Sequence, residues 1–352
     1  MSPAKGLVLA FPGDPAIRTG GYLYNRRLVQ ELERRGWEVA LLSLPLGFPF
    51  PSAGDLAATA SALAGLAPGS TVLVDGLAFG AMPVVAEAAS SWLNLVALVH
   101  HPLCLETGLD PAQAAALATS ERAALACARA VIVTSDHTAA SLQAMFDVAP
   151  ARITVAPPGT DPAPAATPSA DGRWRLLCVG TVTRRKGHLL LAQALAGLAG
   201  PWELRCAGSL ERDPAAAAEL RAAIAAHGLA DRVTLLGEVG DEELAALYAG
   251  TDLLVSASFH EGYGMALAEA LARGIPIVAA TGGAVAATVP AAAGLLVPPG
   301  DHAALASAIG RLMAEPALAR RLRTGARAAA AALPRWADTV ALVERALLGA
   351  AA

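Results

Sequence analysis

The sequence predicts an α/β protein built from two doubly wound halves. Three observations carry that prediction. Short apolar runs alternate with helix-forming stretches along the chain, as in parallel sheets joined by crossover helices. A unit of strand, glycine-bearing loop, helix and strand opens at residue 7 and again at residue 176. Between them, residues 162–172 hold three prolines and several alanines, the best linker in the chain. The domains are therefore placed at 1–163 and 164–334, a division that suits a chain of 352 residues.

Taken in order, residues 7–11 form the first strand. The loop after it carries Gly20 and Gly21 ahead of a helix over 23–35, which Gly36 ends. A glycine pair ahead of a helix lets a phosphate or a sugar approach the backbone, although loops use glycine for many reasons. The helix sets Arg26, Arg27, Arg34 and Arg35 against Glu31 and Glu33, which reads as a solvated face. Residues 38–44 and 71–75 are strands, the second flanked by helices. The strand over 94–100 ends on His100 and His101. Open α/β sheets bind ligands beyond the carboxyl ends of their strands, so both histidines stand where a ligand would. A helix over 111–129, a strand over 130–135, a helix capped by Asp136 and a strand over 153–155 complete this half.

The second half opens with a strand over 176–180. The loop Thr181-Val182-Thr183-Arg184-Arg185-Lys186-Gly187 leads into a helix near His188. Three adjacent cations at a helix N-terminus repel one another unless an anion sits among them, and a diphosphate would serve. A strand over 202–207, a helix begun by Asp213 and Pro214, and a strand over 233–237 follow. Glu238 and Val239 lie just past that strand, and Asp241 caps the next helix.

A strand over 252–256 leads to the most informative stretch, residues 259–278. Gly262 and Gly264 open a helix from Met265, Gly274 closes it, and Pro276 starts a strand buried on both faces. A helix N-terminus opened by two glycines is an anion site, here with the N–H groups of Tyr263, Gly264 and Met265 uncovered. Glu261 and Glu269 flank it. Were the segment helical throughout, their backbones would stand roughly 12 Å apart. That is much wider than the roughly 5 Å of a retaining glycosidase pair, so the two acids suit opposite ends of one elongated ligand. Beyond them come Gly282-Gly283, a helix capped by Asp301, and a last helix over 335–348 with Trp336, Val340, Val343 and Leu347 at helical spacing.

Composition narrows the function. Hydrophobic residues make up 55% and charged residues 16%, enough apolar material for two cores, and the net charge of −4 argues against a nucleic-acid partner. Cys104, Cys127, Cys178 and Cys206 form no CxxC and no metal-ligand spacing, which suggests buried, reduced thiols in a cytoplasmic protein. No secretory leader is expected. The longest uncharged run, 274–300, is broken by glycine and proline and does not read as a membrane span, while peripheral membrane contact stays open. The chain carries no Asp-x-Asp, so no bridging metal is implied.

The stretch from Glu261 to Glu269, with Gly274-Ile275-Pro276-Ile277-Val278 after it, resembles the donor-site signature of retaining GT-B glycosyltransferases of the family-4 type. Gly180-x5-Lys186-Gly187 resembles that family's phosphate loop, Pro157-Pro158-Gly159-Thr160-Asp161 the close of its first domain, and 293–301 its turn and strand. The likeness covers the whole chain, with its specific motifs mostly between Gly180 and Asp301. It implies the GT-B fold: two Rossmann-like domains facing a central cleft, with residues 335–352 packing back on the first. It implies a glycosyltransferase with a nucleotide-diphosphate sugar as donor substrate, no cofactor, no metal, and an acceptor that is a glycan, a lipid-linked sugar or a small molecule.

The resemblance also implies roles. Lys186 would bind the diphosphate, with Arg184 or Arg185 replacing the arginine that many members carry where Thr181 stands. Glu261 would bond the donor sugar and Glu269 the ribose. Backbone at Val239 would hold the base, and Gly20-Gly21 would face the cleft. His100 would position the sugar. His101 replaces the family's usual acid, and Ala286 stands where a glutamate is frequent. Catalysis would then rest on Glu261, Lys186 and His100. A nucleotide-sugar epimerase or hydrolase on the same fold, releasing free nucleoside diphosphate, is the alternative enzyme, and a non-catalytic nucleotide-sugar-binding protein the alternative outside catalysis. A dinucleotide dehydrogenase would need Gly-x-Gly-x-x-Gly after the first strand, which is lacking.

Overall fold

The structure, a computed structural model, describes residues 5–351. The chain forms two compact units, one running to Gly159 and resuming at Pro334, the other Thr160–Leu333. The division thus falls ahead of the proline-rich segment. That segment is fastened to the second unit: the Ala166 amide donates to Arg273 O and the Thr167 amide to Ala249 O, each at 2.9 Å.

The first unit contains β1 (Lys5–Pro12), α1 (Gly20–Arg34), β2 (Trp37–Leu44), α2 (Ala53–Ala64), β3 (Thr71–Asp75), α3 (Gly76–Phe79), α4 (Pro83–Ser90), β4 (Asn94–Val99), α5 (Pro111–Ala126), β5 (Ala130–Val133), α6 (Asp136–Phe146) and β6 (Ile153–Val155). Its six strands are parallel in the order β2-β1-β3-β4-β5-β6. β3 and β4 are buried along their whole length, as strands covered by helices on both faces must be. β2 lies at the sheet edge, and its greater exposure follows from that place.

The second unit contains β7 (Trp174–Val179), α7 (His188–Leu195), β8 (Trp202–Ala207), α8 (Pro214–Ala226), β9 (Val233–Gly237), α9 (Asp241–Ala249), β10 (Leu253–Ser256), α10 (Met265–Ala272), β11 (Ile277–Ala280), α11 (Val285–Thr288), β12 (Gly294–Val297), α12 (His302–Ala314) and α13 (Pro316–Ala330). Its parallel order, β12-β11-β10-β7-β8-β9, places the chain reversal between β7 and β10. In the first unit the reversal lies between β1 and β3. Doubly wound sheets bind ligands at such reversals, beyond the strands' carboxyl ends.

The last helix, α14 (Trp336–Ala351), belongs to the first unit. It buries Trp336, Val340, Val343 and Leu347 there, and Thr339 Oγ1 donates to Pro157 O at 2.7 Å. Glu344 on this helix accepts from Lys5 Nζ at 2.8 Å, Trp37 Nε1 at 3.0 Å and Arg35 Nη1 at 3.3 Å. The Lys5 and Trp37 hydrogen bonds, with lesser help from Lys5 charge and Arg35, bring its carboxyl down to about 2.

Three helix starts differ from expectation. Thr19 O accepts from the Leu23 amide at 2.8 Å, so α1 begins at Gly20 and both glycines sit inside its first turn. The cap of α6 is Ser135, whose Oγ accepts from the Thr138 amide at 3.1 Å, and Asp136 is the first helical residue. Gly240 caps α9, with Asp241 inside the helix, where its charge still favours the N-terminus. All four cysteines are free thiols. Cys178 and Cys206 are buried as expected, whereas Cys104 and Cys127 are only half-buried. Among the described residues no helix is long and apolar enough to cross a membrane.

Candidate functional site

In the second unit, the loops after β7 and β10 meet at the chain reversal. The loop after β7 makes a single tight turn over Arg184–Lys186 before α7. Lys186 Nζ donates to Glu261 Oε1 at 2.6 Å, and Ser258 Oγ donates to the same oxygen at 2.7 Å. Backbone joins the two loops as well, since the Phe259 amide donates to Arg185 O at 2.8 Å and Arg185 Nη1 donates to His260 O at 2.8 Å. Arg184 turns outward to Glu219 on α8, at 3.0 Å. The basic run is therefore not short of counter-charge, contrary to the sequence-based expectation: Glu261 faces Lys186 and Glu219 faces Arg184.

Glu261 is 8% exposed. Burial pushes its carboxyl up, but Lys186, Arg185 and Ser258 outweigh that and hold it below the ordinary glutamate range. Its backbone is equally fixed. The Glu261 amide donates to Gly282 O at 3.2 Å and Glu261 O accepts from the Ala284 amide at 2.8 Å. Gly283 has φ +70°, and a Cβ there would stand 2.2 Å from Glu261 O. That close approach is why a glycine must stand beside the loop.

Glu261 and Glu269 are not on one helix, because α10 starts only at Met265, after Gly264 in the left-handed conformation. Gly262 and Tyr263 precede it, and Tyr263 O accepts from Thr288 Oγ1 at 2.6 Å. The first-turn amides of α10 point along the helix axis toward the loop that holds Glu261, an arrangement suited to phosphate oxygens. Glu269 accepts from Tyr248 Oη at 2.9 Å, and Arg273 lies 4.5 Å over the Tyr248 ring. Burial raises the Glu269 carboxyl, with Asp161 and Asp241 adding to it, more than Tyr248 and Arg273 lower it. Val239, two residues past β9, is half-buried.

In the first unit, a second cluster forms at the reversal between β1 and β3. Asp75 ends β3 and is 4% exposed. Its Oδ2 accepts from Asn25 Nδ2 on α1 at 2.9 Å, and its Oδ1 accepts from the Leu77 amide at 3.0 Å. His100, just past β4, places Nε2 at 3.7 Å from Asp75 Oδ2. The ring meets the edge of Tyr24 at 5.5 Å between centroids. Gly21 lies against it: a Cβ at Gly21 would stand 3.1 Å from His100 Cδ2. Gly20 precedes it in the first turn of α1. His101 turns away to Glu106 on its own loop, at 3.3 Å.

Sequence reading missed Asp75, Asn25, Ser258 and Tyr248. Asp75 had a signal, an acid closing the apolar run Thr71-Val72-Leu73-Val74, and Ser258 stands three residues before Glu261. Tyr248 and Asn25 had none, since each meets its carboxylate only through the fold.

Each unit thus carries a cluster of buried polar groups at the chain reversal of a doubly wound sheet, the place where such sheets bind ligands, and comparison with known proteins gives the class. Residues 160–329 match the model of glycosyl transferases group 1, and residues 19–164 match that of glycosyltransferase family 4. The chain is 29% identical over 335 residues to the MMP alpha-(1->4)-mannosyltransferase of Mycolicibacterium hassiacum, covering 90% of this chain and 80% of that one. It is 33% identical over 226 residues to a D-inositol 3-phosphate glycosyltransferase of Xylanimonas cellulosilytica, covering 59% of this chain and 54% of the relative. Among solved structures, sucrose-phosphate synthase from Thermosynechococcus elongatus superposes with a TM-score of 0.82 at 25% identity, covering 97% and 98% of the two chains. Anabaena HepE, solved with UDP and glucose, superposes with a TM-score of 0.74 at 20% identity, covering 97% of this chain and 99% of its own.

The chain belongs to the group 1 glycosyl transferases, and it is a glycosyltransferase of GT-B fold.

Proposed function

We propose that this enzyme is a retaining glycosyltransferase that moves a sugar from a nucleotide-diphosphate sugar to an acceptor hydroxyl without a metal. The observation that carries the reading is the Lys186–Glu261 pair beside the N-terminus of α10. An ammonium has three N–H donors. Glu261 takes one, and two remain for diphosphate oxygens. As the C–O bond between the sugar and the diphosphate breaks, negative charge grows on the leaving oxygens. Lys186, Arg185 and the amides at Tyr263, Gly264 and Met265 would stabilise that charge. Of the two arginines, Arg185 is the one bonded on the Glu261 side, and we assign it the role at the diphosphate.

Glu261 is held ionised, which makes it an acceptor for hydroxyls of the donor sugar rather than an acid. Glu269, with Tyr248 behind it, would accept from the ribose, and Val239 would meet the base. His100, with Gly20 and Gly21 beside it, is proposed to bond the donor sugar. The UDP and glucose found with HepE, and the mannosyl transfer named for the M. hassiacum relative, support a nucleotide-sugar donor and a glycan-like acceptor. We place the enzyme in the cytoplasm, where such donors are held.

The test is a thermal-shift screen of nucleotide-diphosphate sugars, followed by product analysis with the donor that binds. A donor at 100 times its Kd adds about 2.7 kcal/mol to the unit that binds it. Transfer should keep the anomeric configuration of the donor, read by NMR of the product. No stabilisation by any donor, or an inverted product, would overturn the reading. Free nucleoside diphosphate with no acceptor product would instead favour a hydrolase.

A further inference from the structure

His100 is more tightly held than a ligand-facing loop residue needs to be. Its carbonyl accepts from Thr134 Oγ1 at 3.2 Å and from Thr138 Oγ1 at 3.4 Å, which fixes the backbone. Its ring is confined by Gly21 on one side and the Tyr24 edge on another. Nε2 is buried, with no hydrogen-bond partner, and faces Asp75 Oδ2 at 3.7 Å. The side chain nevertheless keeps 23% of its surface exposed, so it is the Nδ1 side of the ring that looks outward.

Asp75 is an anion at neutral pH. Burial alone would raise its carboxyl, but His100, the Leu77 amide and Asn25 together hold it below the ordinary range. A neutral imidazole has one N–H and one lone pair. A lone pair on Nε2 aimed at a buried carboxylate is repulsive, whereas an N–H aimed there is attractive and strengthened by the low dielectric.

We propose that Asp75 is a positioning residue that, when the His100 ring carries a single proton, keeps it on Nε2, so that Nδ1 is presented outward as a hydrogen-bond acceptor. The ring then reads a hydroxyl of the ligand, a group with a proton to give, and discriminates against a carbonyl or phosphate oxygen. The ligand half of this statement rests on the glycosyl-transfer reading. The tautomer half is a property of the chain alone.

The Asp75→Asn variant inverts the arrangement. Both Asp75 oxygens now accept, Oδ1 from the Leu77 amide and Oδ2 from Asn25. An asparagine keeps an oxygen for the Leu77 amide and turns its NH2 toward His100. Nε2 must then accept, and the proton moves to Nδ1. The same exchange beside a catalytic histidine yields the wrong tautomer and about a 10⁴-fold loss in serine proteases.

The experiment labels the histidines of the full chain with ¹⁵N and records long-range ¹H–¹⁵N correlations at pH 8.5. His100 is assigned by loss of its signals in His100→Gln. The expected result is an N–H on Nε2 in the wild type and on Nδ1 in Asp75→Asn, with kcat for the donor found by screening lowered at least 100-fold and KM within about threefold. A wild-type proton on Nδ1 overturns the proposal without any variant, and so does an Asp75→Asn variant that keeps Nε2–H. A switched tautomer with unchanged transfer upholds the hold of Asp75 on the ring and refutes the claim that the ring reads the sugar.

Discussion

Replacing Lys186 by methionine tests the pair on which the donor site turns. Methionine keeps most of the stem, which lies 3.5 Å from the place a Cβ on Gly180 would take, and removes only the ammonium. Glu261, buried and ionised, then loses the partner at 2.6 Å. Removing one member of a buried pair costs about 3–5 kcal/mol. Ser258 and the nearby Arg185 still support the carboxylate and the Lys186 side chain is 21% exposed, so the cost at pH 7 should be nearer ~2 kcal/mol. For a unit of this size that is a fall of about 4–8 °C in the melting temperature of the second unit.

The pH dependence has a definite sign. The folded Glu261 carboxyl lies below its unfolded value, so the pair stabilises above the ordinary glutamate range, near pH 4.3, and that stability is lost as acid protonates the folded carboxyl. The gap between wild type and variant should therefore be full at pH 7 and should narrow at pH 4 and below. Calorimetric scans at pH 7, 5 and 4 measure it, and turnover should fall at least 100-fold over the same variant. Melting temperatures within 1 °C of each other at pH 7, a gap that widens in acid, or turnover near the wild-type rate would refute the reasoning.

Gly21→Ala places a methyl 3.1 Å from His100 Cδ2, so the ring must shift by a few tenths of an ångström. We expect transfer to fall about tenfold or more, with the melting temperature of the first unit within a few degrees of the wild type. Glu121, on α5, is 1% exposed and accepts from the Leu103 amide at 2.8 Å, and burial raises its carboxyl to about 8. Its folded value exceeds the unfolded one, so stability falls as pH rises from about 4.5 to 8. Glu121→Gln keeps the acceptor and should melt higher than the wild type at pH 8.5 but not at pH 5, and equal melting at both would discard this. Transfer should persist in excess chelator, and activity that returned only with added magnesium or manganese would remove the metal-free mechanism.

Much of the fold is written in local pattern. β3, β4 and β11 are buried on both faces, and each contains an apolar run: Val72-Leu73-Val74, Leu95 to Val99, and Ile277 to Ala280. Lys186 and Glu261 stand in recognisable loops, but nothing local says that they touch, because 75 residues separate them and only the strand order between β7 and β10 joins their loops. The same holds for Asp75, which looks like an ordinary strand end until β3 and β4 lie side by side and set it against His100. Adjacent cap-forming residues defeated the reading at α6: Ser135 and Asp136 can both cap, and the end of β5 at Val133 selects the serine. The basic run was read as needing an external anion because Glu219 and Glu261 are remote in sequence.

The place of α14 has a consequence for how the molecule comes into being. The first unit is made from both ends of the chain, with the whole of the second unit spliced into it. Trp336, Val340, Val343 and Leu347 fill its core last. At about 5–20 residues per second, synthesis of the intervening unit takes roughly 10–35 s. For that time the nascent first unit lacks the helix that packs on β3, β4, β5 and β6. The unit made second is thus the first that can finish folding, and the one made first must wait until α14 emerges.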